Sequence, residues 1–274
     1  MPDLDAAYLH PAPNGGEIAH GYGPRVHVLA DPWSLSLLAR FAAPDCGIDE
    51  VHRLLDAAYA RLFAAAVREL PMAVSDAPTR MAAAVGARGT YRGIVIDRAS
   101  RAVIVDVARA GMLPAHQLQR ALHLVLPADH TRVDHLYFQR VADPITGRVT
   151  GVSASGSKIG GDVDGVTMFV PDPMGATGAS LVQALAHYED NVAGRPHKRV
   201  SVHLVVTPEF LAHVTKACPD LAVYCLRVDR GMSAPDVLDT PLGARWPEER
   251  GLSDNDYIVP GAGGVGELIS NSFV

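Results

Sequence analysis

From residue 133 to the C-terminus, short apolar runs rich in β-branched residues alternate with segments of helical periodicity. This alternation restricts the fold more than any other feature. Val133–Phe138, Val166–Val170, Val200–Val206 and Leu221–Val228 read as strands, with Tyr257–Val259 closing the series. Leu181–Tyr188 and Glu209–Ala217 read as helices, the second opened by Pro208 at its first turn. Asp143-Pro144-Ile145-Thr146-Gly147 is a turn sequence. Upstream, Val51, Leu54, Leu55, Ala58, Leu62, Ala65 and Ala66 follow helical spacing between Asp49 and Leu70, and Pro71 ends the run. Ile94–Ile96 and Ala102–Val107 flank the turn-like Asp97–Arg101, which suggests a hairpin, and Leu113–Val125 reads as a helix. Strands that alternate with helices of this length form a mostly parallel sheet covered on both faces. The fold class is α/β, with a mostly parallel central sheet flanked by helices.

Composition narrows the function. Lys and Arg number 24 against 30 Asp and Glu, a net charge of −6, which argues against coating nucleic acid or an anionic membrane. No apolar run approaches the roughly 18 residues of a membrane span, and the first residues lack the apolar stretch of a signal peptide. Cys46, Cys218 and Cys225 form neither a disulfide framework nor a metal spacing. The expectation is a reduced, cytoplasmic protein without a metal held by its own side chains. His130 and His135, expected on opposite faces of a strand, read as structural. Residues 1–25 are rich in Pro and Gly and read as an arm or tail, and 26–274 as a single domain. Residues 230–256 are polar and too long for an ordinary loop.

The chemistry concentrates in Gly165–Leu181: an apolar strand, an acid at its carboxyl end, a loop of small residues, then a helix. In an open parallel sheet, ligands bind at the carboxyl ends of strands. Gly175, Ala176 and Gly178 let backbone N–H groups approach a ligand. Thr177 and Ser180 add hydroxyls, and the helix points its positive end at the loop. Together these suit a dianionic phosphate, with Asp172 beside it as an acceptor for two vicinal sugar hydroxyls. A structural turn between strand and helix is the competing reading. A Walker A loop is excluded, because no Gly-Lys-Ser/Thr follows. Gly261–Gly266 satisfies G-x-G-x-x-G, but too little chain follows it to build a dinucleotide site. Arg109, at the end of the strand Ala102–Val107, could clamp diphosphate oxygens with its planar fork.

Asp172-Pro-Met-Gly-Ala-Thr-Gly-Ala-Ser180 resembles the 5-phosphoribosyl-1-diphosphate (PRPP) loop of uracil phosphoribosyltransferases, which reads Asp-Pro-Met-Leu-Ala-Thr-Gly-Gly-Ser. Three further blocks match in order. Val107-Ala-Arg109-Ala-Gly111-Met112 is similar to the family's diphosphate loop. Val205-Val-Thr-Pro208-Glu209, with Cys218-Pro219-Asp220 and Val228-Asp229-Arg-Gly231, follows its third and fourth strands. Tyr257-Ile-Val-Pro260-Gly261-Ala-Gly263 resembles its uracil loop. The resemblance spans roughly residues 26–274 and implies a type I phosphoribosyltransferase fold. It implies the reaction of PRPP with uracil to give UMP and diphosphate, in pyrimidine salvage. By resemblance, Arg109 and Asp172 are catalytic. PRPP is bound by Arg109, Arg140, Asp172, Pro173, Met174, Gly175, Ala176, Thr177, Gly178, Ala179 and Ser180. The base is bound by Tyr257, Ile258, Gly263, Gly264 and Val265. Lys158 has the spacing of a lysine in the family's flexible loop. Mg²⁺ enters bound through PRPP, and a homo-oligomer, dimer or tetramer, is implied.

The sequence also leaves the family pattern. The family's uracil loop continues Gly-Asp-Ala-Gly-Asp-Lys/Arg, whereas here it reads Gly263-Gly264-Val265-Gly266-Glu267-Leu268. The carboxylate associated with PRPP is therefore replaced by Gly264, and Glu267 is the nearest candidate to supply another. Within the PRPP loop, leucine becomes Gly175 and glycine becomes Ala179. Residues 235–254 read as an insertion. These departures leave open a changed acceptor base or a non-catalytic homologue that binds PRPP or nucleotide.

Overall fold

The computed structural model describes residues 16–142 and 149–272 and, for 139–142 and 149–154, the backbone alone. Its strands are β1 (Val26–Val28), β2 (Met72–Pro78), β3 (Thr90–Ile96), β4 (Ala102–Ala108), β5 (Thr131–Ala142), β6 (Val149–Lys158), β7 (Thr167–Pro171), β8 (Met174–Gly175), β9 (Lys198–Val206) and β10 (Leu221–Val228). Its helices are α1 (Pro32–Phe41), α2 (Ile48–Ala66), α3 (Ala82–Val85), α4 (Met112–Leu122), α5 (Ala179–Asn191), α6 (Pro208–Ala217), α7 (Pro235–Leu238) and α8 (Val265–Ser270).

Apolar residues on both faces of β4 fix its place at the centre of the sheet. Ala102 and Ile104 enter a core with Leu55 and Leu62 of α2 and Leu118 of α4. Val103, Val105 and Val107 enter a second core with Leu181 and Leu185 of α5 and Phe210 and Val214 of α6. Each fully buried aliphatic side chain contributes about 1.5–3 kcal/mol relative to exposure, so a strand of this composition gains most between two layers of helix. The sheet runs β1-β10-β9-β7-β4-β5-β6. It is parallel from β1 to β5, and β6 adds antiparallel at the β5 edge.

Counted along the chain, β4, β5, β7, β9 and β10 are the first to fifth strands of the doubly wound core, so their spatial order is 2-1-3-4-5. The winding reverses between β4 and β7, where ligands bind in such sheets. The α/β fold with a mostly parallel sheet agrees with the sequence expectation.

Three expectations are corrected. Residues 94–96 and 102–107 form no hairpin, because β3 pairs antiparallel with β2, through Val74↔Ile94, in a separate two-stranded ribbon. β4, buried from Ala102 to Val107, belongs in the central sheet, whereas neither β2 nor β3 has a fully buried residue. Tyr257–Val259 forms no strand. Only a single bridge joins Leu252 to Ile258, and Val259 is already bonded to Gly251 and Gly231. His130 lies in a 3₁₀ turn before β5, and His135, within β5, bonds Asp106 at 2.7 Å. The turn at 143–147 lies outside the described residues. Within 230–256, buried Arg230 donates to Glu249 at 2.7 Å, and Tyr22 donates to the same carboxylate at 2.5 Å. The cysteines are free, with Cys218 and Cys225 buried. No helix among the described residues is long and apolar enough to cross a membrane.

Candidate active site

The chain leaves β7 at Pro171 and enters α5 at Ala179, and the loop between has its carbonyl groups tied back in sequence. Asp172 O accepts from His203 Nδ1 at 2.7 Å. Pro173 O accepts from the amides of Leu204 and Val205, and Met174 O from that of Ala176. Gly175 O accepts from Thr207 N, Ala176 O from Thr207 Oγ1 at 2.6 Å, and Thr177 O from His213 Nδ1 at 2.8 Å. With the carbonyls committed, the amides of Thr177, Gly178 and Ser180 have no acceptor among the described residues. They face the N-terminus of α5, where the helix is positive, and the arrangement can hold an anion. Gly178 has φ +78°, and a Cβ there would lie 2.8 Å from Val214 Cγ1, so both backbone and space require glycine.

Not every residue of the loop faces this seat. Pro173 is buried, Met174 packs on the α2 side, and Gly175 is the floor. A Cβ at Gly175 would lie 2.8 Å from Val206 and 3.0 Å from the Phe210 ring. Val206 and the ring of Phe210 therefore fill the space that a side chain at position 175 would need.

Asp172 lies at the carboxyl end of β7, and its Oδ1 accepts from Met174 N at 3.2 Å. Burial pushes its carboxyl up to about 6, against that one stabilising hydrogen bond. The fully buried Tyr59 of α2 lies nearby. Burial first, and then the charge of Asp172, raises its hydroxyl well above the ordinary value. The buried imidazole of His203 is pushed down to about 4, so the ring is neutral at pH 7 and donates to the Asp172 carbonyl.

Arg109 follows β4 across the crevice. A Cβ at Gly111 would meet Val107 O at 2.8 Å and Pro171 O at 3.0 Å, so this glycine lets the Arg109 loop close on the end of β7. Arg109 Nη2 lies 3.5 Å from Glu267 Oε1, and Nη1 reaches Ser272 O and Oγ at 3.3 and 3.4 Å. These contacts are longer than the 2.7–2.9 Å of a strong charge-assisted pair, and Arg109 stays 38% exposed. The guanidinium is available to an incoming anion. The Ala108–Arg109 and Val259–Pro260 peptides are cis.

The 257–265 loop borders the same crevice through α8, where Gly266 faces Ala110. Tyr257 is exposed, Ile258 and Val265 are buried, and Gly263 has φ +70° with open space around it. Buried Asp229 organises the loop: its Oδ2 accepts from Gly261 N at 2.8 Å while Oδ1 accepts from Arg227 Nε. Gly264 starts α8 with φ −79°, and the end of the Glu267 side chain covers its α-carbon. Arg140 lies in β5 opposite Val152, and its side chain is outside the described residues. Lys158 ends β6, exposed, opposite His135.

Sequence reasoning missed His203, Thr207, His213 and Asp229 as organisers of the two loops. Thr207 alone left a local signal: it precedes Pro208 and caps α6 by accepting from Phe210 N at 2.9 Å.

A family model described as uracil phosphoribosyltransferase matches residues 43–243. The uracil phosphoribosyltransferases of Variovorax paradoxus and Rhodococcus jostii are each 28% identical to this chain over 244 residues, covering 89% of it and 97% of their own length. The solved structure of the AQ2163 protein from Aquifex aeolicus matches with a TM-score of 0.65 at 20% identity, over 89% of this chain and 97% of that one. That last likeness concerns the fold.

Proposed function

Because the chain belongs to the uracil phosphoribosyltransferase family, and is by that membership a pentosyltransferase of the type I phosphoribosyltransferase fold, we propose that it transfers the phosphoribosyl group of PRPP to uracil, releasing UMP and diphosphate. One observation carries the reading. The segments carrying Asp172 and 177–180 and the one carrying Arg109 leave the carboxyl ends of adjacent strands, β7 and β4, and α8, which follows the 257–265 loop, sets Gly266 beside Ala110 and Glu267 3.5 Å from Arg109.

The roles follow from charge and reach. The amides of Thr177, Gly178 and Ser180 hold the 5′-phosphate, and the Asp172 carboxylate accepts from the ribose hydroxyls. Arg109 exchanges its loose contacts with Glu267 and Ser272 for the diphosphate. The bond between the anomeric carbon and diphosphate breaks with oxocarbenium character, and a pyrimidine nitrogen forms the new bond to that carbon, its N–H proton passing to the released diphosphate or to water. Fixing phosphate and ribose beforehand removes much of the entropic barrier, and Arg109 stabilises the charge gathering on the leaving group. Backbone groups of Ile258 and Gly263–Val265 address the edge of the base.

Among the described residues no three His, Cys, Asp or Glu side chains form a metal cage; Mg²⁺ is proposed to enter with PRPP and supply neutralisation of diphosphate charge, with Asp172 and Glu267 as the carboxylates that would face it. A homo-oligomer belongs to the same proposal. It is supported by the adjacent apolar side chains of Val74 and Ile94, 79% and 75% exposed on the β2–β3 ribbon.

Gly264, where the family pattern has a carboxylate, favours a second reading: a changed acceptor or a binder without turnover. Incubation with PRPP, Mg²⁺ and each nucleobase in turn separates the two. Uracil-dependent diphosphate release with UMP formation supports the first. Release with another base, or PRPP binding without release, supports the second.

A further inference from the structure

The last carbonyl of the phosphate loop is held differently from the rest. Those of residues 172–176 are bonded by backbone amides or by the buried side chains of His203 and Thr207. Thr177 O is bonded by an exposed side chain, His213, reaching from the second turn of α6. The carbonyl accepts, so Nδ1 must carry the proton.

A trans peptide is planar, with C=O and N–H pointing in opposite directions. Whatever fixes the Thr177 carbonyl therefore also fixes the Gly178 amide. Drawn toward α6 at 2.8 Å, the carbonyl directs the Gly178 N–H toward the crevice. Thr207, bonded to Ala176 O, does the same for the Thr177 N–H. The two anchors are not equivalent. Thr207 is buried and also caps α6, whereas His213 Nδ1 has Thr177 O as its partner and its ring lies outside the core. The peptide it holds precedes Gly178, whose left-handed φ of +78° gives little steric resistance to a peptide flip. A flipped peptide would aim an oxygen at a bound phosphate and remove one of its donors.

We propose that His213 is a positioning residue for the phosphate seat, holding the Thr177–Gly178 peptide with its N–H toward the anion. The inference rests on the PRPP reading above and adds a residue outside the matched PRPP loop. No residue of 172–180 is basic, so the seat depends on the direction of its amides and their helix.

The test uses the full-length chain, with ribose 5-phosphate as probe in calorimetry and PRPP and uracil in steady-state kinetics. His213→Ala is expected to weaken ribose 5-phosphate and raise KM for PRPP about tenfold, the scale of one hydrogen bond to an anion, with KM for uracil unchanged. His213→Asn, whose Nδ2 donor stands at the position of Nδ1, should return both to within about threefold of the wild type. The melting temperature should change little in either variant. Wild-type affinity in His213→Ala overturns the proposal, as does an equal rise in both KM values or failure of His213→Asn to recover. If the wild type itself does not bind ribose 5-phosphate, the phosphate seat fails and the proposal falls with it; binding by the wild type together with an indifferent His213→Ala refutes the His213 role alone.

Discussion

Glu267 and Arg109 face each other at 3.5 Å across the mouth of the crevice, and the end of the Glu267 side chain covers the α-carbon of Gly264. The carboxylate absent from position 264 is thus matched by one reaching back from the next turn of α8. The arrangement gives Glu267 two effects of opposite sign. Its charge opposes an incoming diphosphate at Arg109, and the same charge is available to a diphosphate that arrives with its metal. Glu267→Gln should therefore tighten diphosphate binding measured without Mg²⁺ and lower turnover with Mg²⁺ by about tenfold. Gly264 has φ −79°, which an aspartate adopts, and a Cβ there would displace only the flexible end of the 267 side chain, so Gly264→Asp in the Glu267→Gln background should recover activity. Unchanged turnover in Glu267→Gln would mean that the loop needs no carboxylate.

Arg109→Ala should weaken PRPP by tenfold or more, as about 1.5–3 kcal/mol for a charge-assisted bond implies, and leave UMP nearly unaffected, because UMP lacks the diphosphate. Arg109→Lys should recover only part of the loss, since a point charge cannot reproduce the fork. Competition binding with both ligands checks this. Equal losses would remove Arg109 from the diphosphate.

Asp172 links function to stability through its raised pKa. Between pH 3.8 and about 6 the folded chain keeps a proton that the unfolded chain has released, so this group's contribution to stability falls as pH rises through that window. Asp172→Asn removes the buried charge and keeps an oxygen for the Met174 amide. It should be more stable than the wild type above pH 6, by at most about 3 kcal/mol, with the advantage gone below pH 3.8. The same variant should lose PRPP affinity. Thermal melts at pH 4 and pH 7.5, with PRPP titrations at the higher pH, read both effects.

Gly175 and Phe210 share one space, so their sizes should be coupled. Gly175→Leu should cost about 1–3 kcal/mol by overpacking, and Phe210→Ala about 3–5 kcal/mol through the cavity it leaves. The double variant should be more stable than the sum of the two losses predicts, as denaturant unfolding can measure.

The buried parallel strands were legible because they are short, mostly apolar runs rich in β-branched residues, as in Val200–Val206 and Leu221–Val228. The phosphate loop was legible because its chemistry is contiguous in sequence. β6 was not, since Val149–Lys158 is mostly small and polar and gains its place by pairing with β5. β3 was assigned to the wrong neighbour because proximity along the chain favours a hairpin, while burial on both faces draws β4 into the sheet. The anchors His203, Thr207 and His213 lie about 30 residues or more from the carbonyls they hold. Only the packing of β9 and α6 against the loop brings them there.

If one crevice holds phosphate, ribose and pyrimidine in a fixed order, a crystal structure of the UMP complex must show all three in place. The expected result has phosphate oxygens within about 3.2 Å of the Thr177, Gly178 and Ser180 amides, ribose hydroxyls on Asp172, and the uracil edge on the backbone of Ile258 and Gly263–Val265. A nucleotide whose phosphate lies on Arg109 instead, or whose base lies away from the 257–265 loop, would contradict it.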